Sequence, residues 1–286
     1  RVPPVVSQTA SGYSSSALPI TSVTKVPTTT ATSLATTRTS TTETGPVLVW
    51  QSDFANGTLD GFEGVDIDPA VRCDEFPPER ADVEAAVVDD ATAPTGMMKA
   101  LELRSNVRKR RGVVAYALTF RHSQFEDNRN WYAYGHVRKA EGQFQAIAVN
   151  MQLVEDYKDV PCLFTWHLNP YDPQYGYVTL FRGLDANKQG IWEPVHEAGD
   201  DMNWHYWEIE GHYAQNPKVR KVVRMRIDDH NYSLNIDLPR INNPFINWPE
   251  SFGVLLETVN MWNCQAGKVT SCASHWTKIG LVRVNR

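Results

Sequence analysis

The sequence predicts an all-β protein: two antiparallel sheets stacked as a jelly-roll sandwich, preceded by a disordered Ser/Thr-rich linker. Three observations predict it. About a dozen short runs rich in β-branched and aromatic residues are separated by Gly, Asn, Asp and Pro turns. No stretch carries a convincing apolar period of 3.6 residues. The composition changes sharply near residue 46, and all nine Trp and all four Cys fall after it. The 240 residues 47–286 are enough for one large core, and all-β domains of this size commonly stay single.

Residues 1–46 hold 21 Ser and Thr, several Pro, one aromatic (Tyr13) and one acid (Glu43). Such a segment cannot bury enough apolar surface to offset its ordering entropy. Ser/Thr with Pro reads as an O-glycosylated linker, which implies a carbohydrate-binding module beyond its N-terminal end. Arg1, Lys25 and Arg38 stand there against Glu43, so the remainder is more acidic than the chain's overall −5, at −7. That balance argues against nucleic acid as a partner. No run of 18 apolar residues is present, so no membrane span is expected.

Taken in order, residues 47–54 (VLVWQSDF) read as an opening strand, and ANGTLDGFEG as a turn. Residues 64–96, with Pro69, Pro77, Pro78 and Pro94, read as an acidic surface excursion with one short strand at 81–88. Strands follow at 99–105, 112–121, 131–138, 142–154, 162–168 and 175–182. After a loop with Gly183, Gly190 and Pro194 come strands at 204–213, 219–228, 232–238, 252–262 and 276–285. Residues 123–130 fit one helical turn.

Cys264 and Cys272, eight apart, suit a disulfide-closed loop, leaving Cys73 and Cys162 as a second pair, though a zinc site competes. The sequons at Asn56 and Asn231 fit secretion and glycosylation. Asp66/Asp68, Asp156/Asp159 and Asp200/Asp201 are candidate calcium ligands, although each also reads as a solvated loop; no other cofactor is implied.

Two constellations can carry chemistry. In residues 204–213 (WHYWEIEGHY) a period of two puts Trp204, Tyr206, Glu208, Glu210 and His212 on one face. Carboxylates at i and i+2 stand about 7 Å apart on a strand, near the ~5–5.5 Å of a retaining glycosidase. The competing reading pairs these acids with Arg224 and Arg226 on the next strand, which would share a face with Arg220 and Val222. The second constellation is Arg104, Asn106, Arg108 and Arg110, with Asn150 and Gln152 from a strand that also presents Phe144, Ala146 and Ala148. Cations and amides there would neutralise a uronate carboxylate, and Tyr134, His136 or His167, or else Tyr116 or Tyr132, would move the proton. Trp166, in the aromatic- and amide-rich segment 165–177, and Tyr206 are candidates for stacking on sugar rings. Trp131, Trp192 and Trp248 stand near expected loops and are ligand candidates, whereas Trp207 faces inward.

The linker, the opening VLVWQSDFANGTLDGFEG and the closing HWTKIGLVRVNR together resemble secreted fungal carbohydrate-active proteins with a concanavalin-like jelly roll. That class includes polysaccharide lyases, some glucanases and non-catalytic cell-wall proteins. The segment WEIEGHY is similar to the carboxylate strand of laminarinase-type glucanases, E-x-D-x-x-E: Glu208 and Glu210 match the first two acids in spacing, and His212 and Tyr213 stand where the third would be. Leu101-Glu102-Leu103-Arg104 partly matches the R-x-E-x-R strand of lyases. The resemblance implies an extracellular protein acting on plant or fungal wall polysaccharide. The expected activity is lyase-like; the alternatives are a non-catalytic lectin-like domain and a glycoside hydrolase using Glu208 and Glu210.

Overall fold

The computed structural model describes residues 45–66, 82–94, 96–107, 112–121, 129–142, 145–155, 158–170, 172–187, 189–215, 218–241, 251–260 and 270–284. The linker 1–44, Cys73, Cys264, Arg108 to Arg111, Phe144, Trp248, the 122–128 segment and Asp68 and Asp156 lie outside these residues.

The described residues form fifteen strands and no helix. They are β1 (Pro46–Ser52), β2 (Glu63–Asp66), β3 (Asp82–Asp89), β4 (Lys99–Val107), β5 (Gly112–Arg121), β6 (Arg129–Glu141), β7 (Gln145–Glu155) and β8 (Lys158–His167). Then come β9 (Tyr177–Leu184), β10 (Gly190–Glu197), β11 (His205–Gln215), β12 (Lys218–Ile227), β13 (His230–Asp237), β14 (Ser251–Asn260) and β15 (Thr270–Val284). The expected strands are all present; β2 and β10 are additional. Pro194 hides β10 from a pattern reading, because proline removes a ladder donor. Strand β10 tolerates it as an edge strand with a register shift between Pro194 and His196.

One sheet runs β13-β12-β11-β6-β15-β4-β3, with β1 also paired to the long β15; the other runs β10-β9-β8-β7-β14-β5-β2. All pairings are antiparallel, and the chain crosses repeatedly between sheets, as β4, β5, β6 and β7 do in succession. This winding is the jelly roll expected.

Alternation sorts the side chains. Along β6, Trp131, Ala133 and Val137 enter the core while Tyr132, Tyr134, His136 and Arg138 face out. Along β11, Trp207, Ile209 and Tyr213 enter it. Facing residues of the second sheet are Ile147, Val149, Met151 and Leu153 of β7 and Phe252, Val254 and Leu256 of β14. Aromatic contacts join the layers: Trp131 and Tyr213 lie 5.1 and 5.8 Å from Phe252 between ring centroids.

Two of the bulges on the first sheet reset this alternation around the outward face. In β12 one extra residue, Val223, falls between the pairs Gly211–Val222 and Glu210–Arg224. Arg220 and Val222 therefore turn inward, while Arg224 and Arg226 turn outward, correcting the shared face that strict alternation predicts. In β15 one extra residue falls between the pairs Thr277–His136 and Gly280–Tyr134, and Lys278 there adopts φ +49°.

The disulfide expectation needs correction. Cys162 on β8 and Cys272 on β15 are free, buried thiols. Burial raises both, Cys272 to about 12, so neither carries thiolate character at neutral pH.

Candidate functional site

The second constellation does not hold together. Arg104 belongs to β4 in the first sheet, whereas Asn150 and Gln152 belong to β7 in the second. Both Arg104 and the amides point away from the core, so the sandwich separates them. Arg104 is engaged by Glu102 at 2.9 Å and Glu141 at 2.5 Å, and also donates to Ser271. Gln152 donates to Asp159, and Asn150 is buried with its Oδ1 unpaired.

Both His167 nitrogens are engaged within the protein: Nδ1 meets Asp172 at 2.9 Å and Nε2 meets Thr179 at 2.9 Å. Trp166 and Trp131 correct the sequence reading more firmly, since both rings belong to the buried core. The Trp166 Nε1 donates to the Gly199 carbonyl, and its ring lines a small apolar cavity of about 50 Å³ between the sheets. Trp192 packs edge-on against His167 and beside Phe181. Trp207 is inside, as read from the sequence.

The remaining candidates do converge. Tyr134, His136, Tyr206, Glu208 and Glu210 share the outward face of the first sheet, where β6 lies between β11 and β15. Register sets them in rows. Tyr206 stands opposite His136, Glu208 opposite Tyr134 and Arg226, and Glu210 opposite Tyr132 and Arg224. On the β15 side Thr277 stands opposite His136 and Gly280 opposite Tyr134, with Lys278 in the bulge between them.

Both carboxylates are fully occupied. Arg224 donates to Glu208 Oε1 and, at 3.1 Å, to Glu210 Oε2. Tyr206 donates to Glu208 Oε2 at 2.8 Å, and Asn130 donates to Glu210 Oε1 at 2.5 Å while receiving His212 on its own oxygen. All four carboxylate oxygens are therefore bound within the protein, Arg224 supplying the cross-strand pairing.

The rest of the face is partly exposed. Tyr132 and Tyr134 lie with ring centroids 6.0 Å apart, and Tyr134 donates to Gln51 at 3.0 Å. The Tyr134 ring rests on Gly280, where any Cβ would strike it. The His136 and Tyr206 rings meet edge to face with centroids 5.3 Å apart, and the Arg226 guanidinium lies 5.1 Å from the Tyr206 ring centroid. The His136 Nδ1 is buried and makes no hydrogen bond. Burial, and next the positive charge of Lys278, hold the His136 imidazole below its ordinary pKa, with Asp228 opposing. Burial and then Glu208 raise the Tyr206 phenol far above its usual value. Burial also raises Tyr132 and Tyr134. This face thus offers a neutral imidazole and three protonated phenols beside the exposed cation of Lys278 and the half-exposed one of Arg226.

Sequence reasoning missed Lys278 altogether. The available signal was Gly280, an isolated glycine inside a strand, which marks a bulge or a close approach. It is both here. A left-handed, non-glycine residue at a bulge is the kind of strain that recurs at functional sites.

The two sequon asparagines, Asn56 and Asn231, are exposed, the first in a turn and the second on the edge strand β13. Among the calcium candidates, Asp200 pairs with Lys139 at 2.5 Å, Asp201 with His205 and Asp159 with Gln152. Among the described residues no group of three or more His, Cys, Asp or Glu is placed to hold a metal ion.

No family model and no curated protein matches the chain. Solved structures align over most of it at low similarity. A carbohydrate esterase from a Shiga toxin-encoding bacteriophage is 12% identical, covering 85% of this chain and 100% of its own, with a TM-score of 0.48. An endo-1,3-β-glucanase from Streptomyces sioyaensis is 7% identical over 87% and 100%, with a TM-score of 0.44. A xylan-binding domain from Paenibacillus barcinonensis is 11% identical over 85% and 98%, with a TM-score of 0.34. At these values the likeness carries no weight for function, and the jelly roll stands on the strand topology itself.

Proposed function

We propose that this protein binds an acidic polysaccharide along the outward face of the first sheet and cleaves it by β-elimination. The observation that supports this best is His136. Its buried Nδ1 makes no hydrogen bond, and it lies beside a cation displayed by a bulge. Lys278 and Arg226 would neutralise the carboxylate of a uronate and so acidify its C5 proton. Neutral His136 would take that proton through Nε2. The C5–H electron pair becomes the C4=C5 double bond, the C4–O bond breaks, and the departing oxygen receives the proton back from the imidazolium. Tyr132, Tyr134 and Tyr206 would stack on the sugar rings. Secretion and a wall polysaccharide as substrate fit this reading.

The test is incubation with alginate, polygalacturonate and polyglucuronate, following ultraviolet absorbance of the unsaturated product and reducing ends together. Both should rise, and both should be lost in His136→Ala and Lys278→Ala at unchanged folding. Activity should fall as pH drops through the lowered His136 pKa, on an acid limb below 6.5. Reducing ends without absorbance would replace elimination by hydrolysis. Retention on a polysaccharide with neither signal would make this a binding protein.

A further inference from the structure

We propose that Trp204, backed by Arg138, forms a distal sugar subsite on the same face, so that the protein requires a chain of several sugar units rather than a short end. This rests on the acidic-polysaccharide reading above. Trp204 stands one residue before β11, and continuing the β11–β6 register places it opposite Arg138, on the outward face. Its indole plays no part in the core, unlike Trp131, Trp166, Trp207 and Trp276. A half-buried indole outside the core is instead fixed by polar groups. The Arg138 guanidinium lies 5.7 Å from its ring centroid, and its Nε1 donates to Thr92 at 3.2 Å.

That support is itself anchored. Asp90 receives Arg138 at 2.7 Å, Thr92 at 2.6 Å and His275 at 2.6 Å, and His275 reaches Glu102 at 2.9 Å with its other nitrogen. The ring is thus pre-oriented, which lowers the entropy cost of stacking on it. Because Asp90 takes up the Arg138 charge, this subsite offers a flat apolar surface rather than a second carboxylate clamp. From Tyr132 to Arg138 is six residues of β6, a span of ~20 Å, room for several sugar rings end to end. Trp204 and Tyr206, two residues apart, present successive rings ~7 Å apart, of the order of one sugar unit.

The experiment measures affinity and KM for sized oligomers of whichever uronate polysaccharide the wild type retains. Trp204→Ala should weaken long oligomers about three- to ten-fold and leave the shortest unchanged, with Trp204→Phe intermediate. Its melting temperature should stay near that of the wild type. Equal loss at every length, or no loss at any length, would overturn the subsite while leaving the His136 reading intact. Failure of the wild type to retain any uronate polysaccharide would overturn both.

Discussion

Gly135 and Gly280 lie on adjacent strands of one sheet, and alanine at each should fail in opposite ways. A Cβ on Gly135 would stand 2.7 Å from Ile279 Cδ1 and 2.9 Å from Trp207 Cζ2. Both neighbours are buried core residues, so neither can swing aside. Overpacking of this kind costs about 1–3 kcal/mol. At about 2–4 °C per kcal/mol for a domain of this size, Gly135→Ala should lower the melting temperature by about 2–12 °C. A Cβ on Gly280 would strike the Tyr134 ring, whose surface position lets it rotate outward. That rotation loses the hydrogen bond to Gln51, worth about 0.5–1.5 kcal/mol. Removing a glycine from the unfolded chain returns about 0.4–1 kcal/mol, so the melting temperature should hardly change. Polysaccharide binding should drop instead, because the ring displaced is the one beside His136. Thermal unfolding and polysaccharide affinity, measured on both variants, separate these outcomes. A Gly280→Ala protein that melts as low as Gly135→Ala, or that binds as the wild type does, would refute the reasoning.

Three further outcomes follow from the charge networks. Arg224→Met strips the shared cation from Glu208 and Glu210, both largely buried; with Arg224 itself over a third exposed, the loss should be about 1–3 kcal/mol by urea unfolding. Arg220 and Glu155 form an almost fully buried pair between the sheets, so Arg220→Met should cost about 3 kcal/mol, near the low end because Lys218 remains 3.0 Å from Glu155. The double change with Glu155→Met should recover most of it, and a double variant no better than the single would sink that account. His205 joins Asp201 at 3.0 Å and Asp228 at 2.8 Å; burial opposes its charge, but the two hydrogen bonds outweigh burial and raise its pKa. Its contribution should be full below pH 6.5 and fade as pH rises through the raised value, while those of Asp201 and Asp228 should be full above pH 3.8 and fade as pH falls through their lowered values. Melting temperature against pH should therefore lose its alkaline decline in His205→Gln; an unchanged profile would exclude this contribution.

Local pattern was a good guide wherever one face of a strand is buried and the other is wet. That is why the inward Trp207 and the outward Tyr206, Glu208 and Glu210 were legible from WHYWEIEGHY, and why pairing of those acids with Arg224 was foreseeable. At β7 alternation separated the two faces, but it did not show that the amide-bearing face is buried as well. It failed for Trp166, whose aromatic, amide-rich surroundings look like a binding segment but lie inside.

The sequence alone determined the all-β class, the order of most strands and which residue types each strand could present, because these follow from period, turn residues and composition. Only the tertiary structure decided which strands are neighbours. It put Arg104 and Asn150 in different sheets, left Cys162 and Cys272 as separate thiols, and brought His136, Tyr206 and Lys278 together from three strands. The physical reason is that sheet pairing is non-local, and a single bulged residue reverses every side chain beyond it. Val223 and Lys278 are such residues, and their effect depends on the partner strand rather than on their own neighbours in sequence.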